Sequence, residues 1–263
     1  ENWDTITADL EMIQGEGFET IFQVDPNMVV KKKKEDEDEV TEVQEGWKGR
    51  ILPFDLVQKE FHKDALDSIA AKEIRLAEIT SSFTEILESL EEDELELDIV
   101  NEDKNNFVAK EVKAYVAEAL ADVDGPEIDA LKAYLELSKK KDKVEYIENT
   151  AVVNWSTMSA NKDGTYGKAA INARILQVQM EFEFQEDSLD AKMKQVMLLM
   201  DEESELKKTV KGQKAELEIE TIDTIENLDE EDALRLLELK WIEPCIRIRN
   251  FARWCNYSIG FRS

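Results

Sequence analysis

The chain has 263 residues, 42% of them apolar, with 61 acids against 33 bases and a formal net charge of -28. An apolar share this ordinary excludes a simply disordered chain, and the length supports one sizeable core or two small ones. The charge speaks against direct nucleic-acid binding, which needs a basic face that releases counterions from phosphates.

Residues 1–30 mix short alternating runs, "TITADL" and "FETIFQV", with Gly15, Gly17 and Pro26. They predict two or three short strands or irregular packing. The run "KKKKEDEDE", residues 31–39, sets four lysines against five acids and has no apolar residue to bury, so a solvated loop is expected. A lysine patch on DNA phosphates is the sharper alternative, weakened by the adjacent acids.

Beyond the Trp47–Pro53 bend the pattern turns helical. Ile69, Leu76, Phe83, Leu90 and Leu97 recur every seven residues, with Ile79 and Ile86 three beyond two of them. No Gly or Pro interrupts Ala65 to Leu97, and the seam predicts a helix whose stripe spans about 43 Å. Lys72 and Asp93 break the second heptad position, which favours packing in a bundle over a self-sufficient zipper.

A second helix fits 105–123, with Val108, Val112, Tyr115 and Ala119 on one face. "DGPE" stops it and starts a third, through Ile128, Leu131 and Leu135 towards Val144 and Ile147. "NKDGTYG" is a break, followed by "KAAINARILQVQMEF". A long helix follows Ser188, a good N-cap, with Leu189, Met193, Val196, Met200, Leu206, Val210 and Leu217 in its stripe. A last helix follows "NLDEED" through Leu234, Leu237 and Trp241. The expected fold is mainly α: an elongated bundle of long antiparallel, coiled-coil-like helices after a short irregular or β-containing N-terminal segment.

Chemistry-bearing motifs are weak. "DGTYGK" has two residues between Gly164 and Gly167 and Ala169 after Lys168, so it lacks the spacing and hydroxyl of a phosphate loop. "DVDGPEID" places Gly125 directly after Asp124 and Pro126 next, which is not a calcium loop. His62 is the single histidine, far in sequence from Cys245 and Cys255, a poor zinc set. Acid pairs are guaranteed by composition, so a hydrolase using paired carboxylates is a weak third reading. Met193, Met197 and Met200 read as gap-filling core before binding groove. No catalytic, cofactor-binding or metal residue is predicted.

Two late cysteines suit a reducing cytosol, with a secreted chain carrying one disulfide as the alternative. No run approaches about 18 consecutive apolar residues and there is no basic-then-apolar leader, so a cytoplasmic location off the membrane is expected.

The run "GWKGRILPFDLVQKEFHKDALDSIAAKEIRLAEI" resembles the segment that follows the catalytic domain in the modification subunit of type I restriction–modification systems. There, an "LxPxxLVxxxYF"-like stretch enters a long acidic helix. Residues 201–241 are similar to the same family's closing pattern: a Leu/Lys helix, "I-x-x-L", acids, then "LL-x-x-K-W". Leu228, Leu236, Leu237, Lys240 and Trp241 hold those places. The resemblance covers roughly residues 45–243 and implies a parent enzyme that methylates the N6 of adenine in DNA from S-adenosylmethionine. It also implies a helical C-terminal region docked on the specificity subunit and, through the whole complex, on DNA and the restriction subunit.

The family's Gly-rich cofactor loop and its Asn-Pro-Pro-aromatic tetrapeptide are not in this sequence, so no catalytic or cofactor residue carries over and S-adenosylmethionine belongs to the parent alone. The expected organisation is a connector of an upstream catalytic domain over 1–60, a helical assembly domain over 61–243, and an atypical basic tail over 244–263. The tail carries four arginines and no acid, a departure from the family's pattern. The partner-facing candidates are Ile69, Leu76, Ile79, Phe83, Ile86 and Leu90 on one helix, and Met193, Val196, Met200 and Leu206 on another. The alternative is a stand-alone acidic coiled-coil adaptor.

Overall fold

The computed structural model describes residues 2–33 and 36–243. The basic tail, with Cys245 and Cys255, lies outside the described residues, as do Lys34 and Glu35 in the charged run. The described chain is mainly helical, with one two-stranded antiparallel sheet near its N-terminus. It forms two compact units: residues up to Leu76 with those from Leu206 onward, and Ala77–Glu205. These boundaries fall inside two long helices, whereas the sequence reading drew its divisions at 60/61 and 243/244.

The first unit opens with α1, Asn2–Glu16. This corrects the strand expected at "TITADL". The alternation there also satisfies a helical period, because Ile6 and Ile13 are seven apart. "FETIF" is likewise a 3-10 turn, Phe18–Phe22.

The sheet pairs β1, Val24–Lys33, with β2, Asp36–Gly49. The expected charged loop is therefore the far end of a hairpin, with Lys32 opposite Val40 and Lys33 opposite Asp36. Further back, Lys31 pairs with Glu45. At the base, Arg50 grips Asp25 with two bonds of 2.9 and 2.7 Å. That guanidinium holds the Asp25 carboxyl below the usual range.

Next come α2, Phe54–Phe61, and the first half of α3, Lys63–Glu88. Within this unit α3 packs antiparallel on the later part of α8, Leu189–Glu226. Ser68 Oγ accepts from Gln213 at 3.3 Å, Lys214 bonds Glu73 at 2.6 Å, and Ile69, Val210 and Leu217 close the seam. The final helix, α9, spans 230–243 and is capped by Asp229, whose Oδ1 accepts the Asp232 N–H at 2.8 Å. Its Ala233, Leu236 and Leu237 join Ile21, Ile51, Leu52, Val57 and Ile225 in one core.

In the second unit α3 ends at Glu88, not at Leu97 as the heptad count implied. Acids at 88 and 91–94 crowd the negative end of the helix dipole, and Ser89 Oγ turns back to the Ile86 carbonyl at 2.7 Å. A short 3-10 turn, Glu94–Glu96, follows. Then come α4, Ala109–Ala121, and α5, Pro126–Glu136, whose first residue is Pro126 as expected.

The third helix does not continue through Ile147. Leu137 is extended and α6, Lys140–Asn149, starts anew, so that Leu135 and Leu137 as well as Tyr146 and Ile147 reach a common cluster around Tyr134 and Leu131. "DGTYG" is a turn, with Gly164 at φ 75° and Thr165 donating from both N and Oγ to Asp163. Bonds from Lys140 first and Thr165 second hold that carboxyl well below the usual range. From Gly167 the chain enters α7, Lys168–Glu181. The first part of α8 then closes the unit, with Ser188 Oγ accepting the Ala191 N–H at 3.2 Å.

Candidate protein-docking surface

The ten candidate residues divide by what this chain itself places over them. Ile69, Ile79, Ile86, Leu90, Met193 and Val196 are buried. Leu76, Phe83, Met200 and Leu206 are half-buried. In the first unit Leu76 leans on the Ile69–Val210–Leu217 seam. In the second, Ile86, Leu90, Met193 and Val196 share a core with Val112, Val116, Leu120 and Ile128, and Phe83 and Met200 pack against it. The heptad stripes are thus filled from within, because α8 supplies in each unit the apolar face that α3 needs.

The most exposed apolar side chains of the two long helices lie off those stripes. On α3, Ile74 is 62% exposed; on α8, Ile219 is 68% exposed and Leu198 48%. None belongs to the seven-residue repeat, so periodicity passes over them. Ile74 and Ile219 are each flanked by charged residues, and Leu198 sits within an apolar run, so none stands out in the sequence.

Two cavities border the long helices. In the first unit a groove of about 550 Å³ runs between Phe54, Leu66, Ile69 and Leu217, with Asp67 and Glu218 at its mouth. In the second, a cavity of about 410 Å³ is walled by Phe83, Leu87, Phe107 and Met200, with Asn105 and Asn106 beside it. The two rings meet edge-on, centroids 6.4 Å apart. Polar groups line both as well: Lys214 and Glu73 in the first, Thr80, Thr84 and Glu203 in the second, so each wall offers a side chain both apolar contact and hydrogen-bond partners.

The two sequence stretches that carried the family resemblance meet in the first unit. Lys240, from the closing "LLELKW", donates to the Ile51 carbonyl at 2.6 Å, and Ile51 opens "ILPFDLV". The same ammonium reaches Asp9 Oδ2 at 2.5 Å, and Trp241 Nε1 donates to that oxygen at 2.8 Å. Asp9 is only 8% exposed, so these two donors replace much of the water around its carboxyl. His62 is an ordinary packed histidine here, its Nε2 2.8 Å from Thr224 Oγ1.

Among the described residues no group of three His, Cys, Asp or Glu side chains is arranged to hold a metal ion. Among the same residues no helix is long and apolar enough to cross a membrane. No protein-family model matches the sequence, and neither a curated protein nor a solved structure matches the chain.

Proposed function

We propose that the chain is an acidic helical assembly module that docks on another protein. On the resemblance, it is the C-terminal region of a type I restriction–modification DNA methyltransferase subunit, with the specificity subunit as partner. The observation that supports this is the joint core of the first unit. The bend at 51–57 and the "LLELKW" helix, far apart in sequence, share one set of buried residues and are tied by the Lys240 bond to Ile51. A motif pair with one structural purpose is what an inherited assembly segment requires.

In this reading the protein is cytoplasmic. It carries no methyl-transfer chemistry itself, and S-adenosylmethionine, DNA and the restriction subunit are met by the complex as a whole. A net charge of -28 repels a polyanion, while exposed Ile74 and Ile219 offer apolar contact that needs no phosphate. The stand-alone adaptor draws on the same charge and the same helices. Co-elution with a type I specificity subunit separates the two. A complex that survives purification supports the family reading, and separate elution favours the adaptor.

A further inference from the structure

In the second unit, α4 and the loop between α7 and α8 enclose an open cleft of about 610 Å³. Its floor is aromatic. Phe182 and Phe184 meet edge-on with centroids 5.2 Å apart, and Tyr115 lies beside them. Phe184 and Tyr115 are anchored in the main core of the unit, whereas Phe182 is 43% exposed. The loop is held at both ends. Lys194 Nζ donates to the Phe182 carbonyl at 2.6 Å, and Ser188 caps α8. The ring pair is therefore a fixed feature of the surface rather than a wandering side chain.

The rim is acidic. Glu118, Asp122, Asp124 and Asp190 line it. Asp124 is paired with Lys132 at 3.0 Å and Asp190 accepts from the Tyr115 hydroxyl at 2.8 Å. Glu118 and Asp122 form no ion pair among the described residues. The negative field is felt at the hydroxyl itself: burial, then Asp190, with Glu94 and Glu118 adding, push Tyr115 up to about 12. A part-exposed phenyl ring among carboxylates favours one kind of guest, a cation with an apolar neighbour. The cation interacts with the aromatic quadrupole and the carboxylates at once, and the neighbour covers the exposed ring.

We propose that this cleft binds a basic, apolar-flanked segment of a partner protein, with an arginine or lysine seated over Phe182 between Glu118 and Asp122. The site does not depend on the family resemblance, and its failure leaves the co-elution experiment untouched.

The test uses the full chain and a fluorescent peptide of alternating arginine and leucine, followed by anisotropy. Saturable binding is expected. It should weaken by about tenfold or more in the triple variant Phe182→Ser, Glu118→Gln, Asp122→Asn. All three residues border an open cleft, so folding should persist, and circular dichroism checks this. The control variant Glu11→Gln with Glu216→Gln removes two exposed acids of the first unit and should bind as the parent does. A peptide with glycine for leucine should bind more weakly. No binding to the parent, equal loss in the control variant, or equal affinity for the glycine peptide would each overturn the assignment.

Discussion

Asp9 carries a nearly buried charge whose two partners, Lys240 and Trp241, come from the far end of the described chain. Removing the ammonium with Lys240→Met leaves a carboxylate with one donor and little water. The loss should be about 3 kcal/mol in urea unfolding. Asp9→Asn in the same chain should recover part of it, because the remaining group is neutral, and a double-mutant cycle isolates the coupling.

Tyr115 makes a second prediction at this scale. Its hydroxyl is raised by burial and by Asp190 to about 12, so the folded state holds that proton more tightly than the unfolded chain does. The corresponding stability is fully present below the unfolded value of about 10 and is lost as pH rises through about 12. Ultraviolet titration should show a late-ionising phenol whose signal Tyr115→Phe removes. If the variant's titration matches the parent's, Tyr115 is solvated and the Asp190 bond does not form in solution.

Gly49 stands out among the glycines. A Cβ there would fall on the Leu52 carbonyl oxygen, backbone against backbone at the hairpin base. Gly49→Ala should cost about 2 kcal/mol, the usual range for overpacking, and be visible as a lowered urea midpoint.

At the scale of the element, the N-cap of α8 was legible and is testable. Ser188 bonds the Ala191 N–H, and Ser188→Ala should cost about 1 kcal/mol in thermal unfolding. A change within error would mean that the loop from Phe182 holds the helix start without it. Long periodic stripes were legible for the same reason that they fold: Ile69 to Leu90 and Met193 to Leu217 are spaced for one buried face. Ends and alternation were not. The stripe at Leu97 continues a pattern that acids at the end of α3 cut short. "TITADL" fits both a strand and a helix, and tertiary packing on Met12 and Ile13 decides for the helix. The lysine–acid run reads as a solvated loop because it has no apolar residue to bury, whereas strand pairing is made by the backbone, to which a charge pattern gives no clue. Exposed apolar positions are hidden from the sequence for a similar reason. Periodicity finds what is apolar in register, and those are the residues that a folded helix pair covers first. Ile74, Ile219 and Phe182 lie out of register and remain outside.

For the molecule as a whole, two compact units with a large excess of acid are compatible with the proposed docking on another protein. With S-adenosylmethionine and duplex DNA the purified chain should transfer no methyl group, as a filter assay with labelled cofactor would register. Measurable transfer would contradict the absence of the catalytic motifs from its sequence. The central claim is docking by exposed apolar residues on the long helices. Its most direct measurement is size-exclusion co-elution with the specificity subunit, comparing the parent with Ile74→Asp, Ile219→Asp at matched circular dichroism. One joint peak for the parent and two separate peaks for the variant are expected. A parent that elutes alone, or a variant that still co-elutes, would contradict the account.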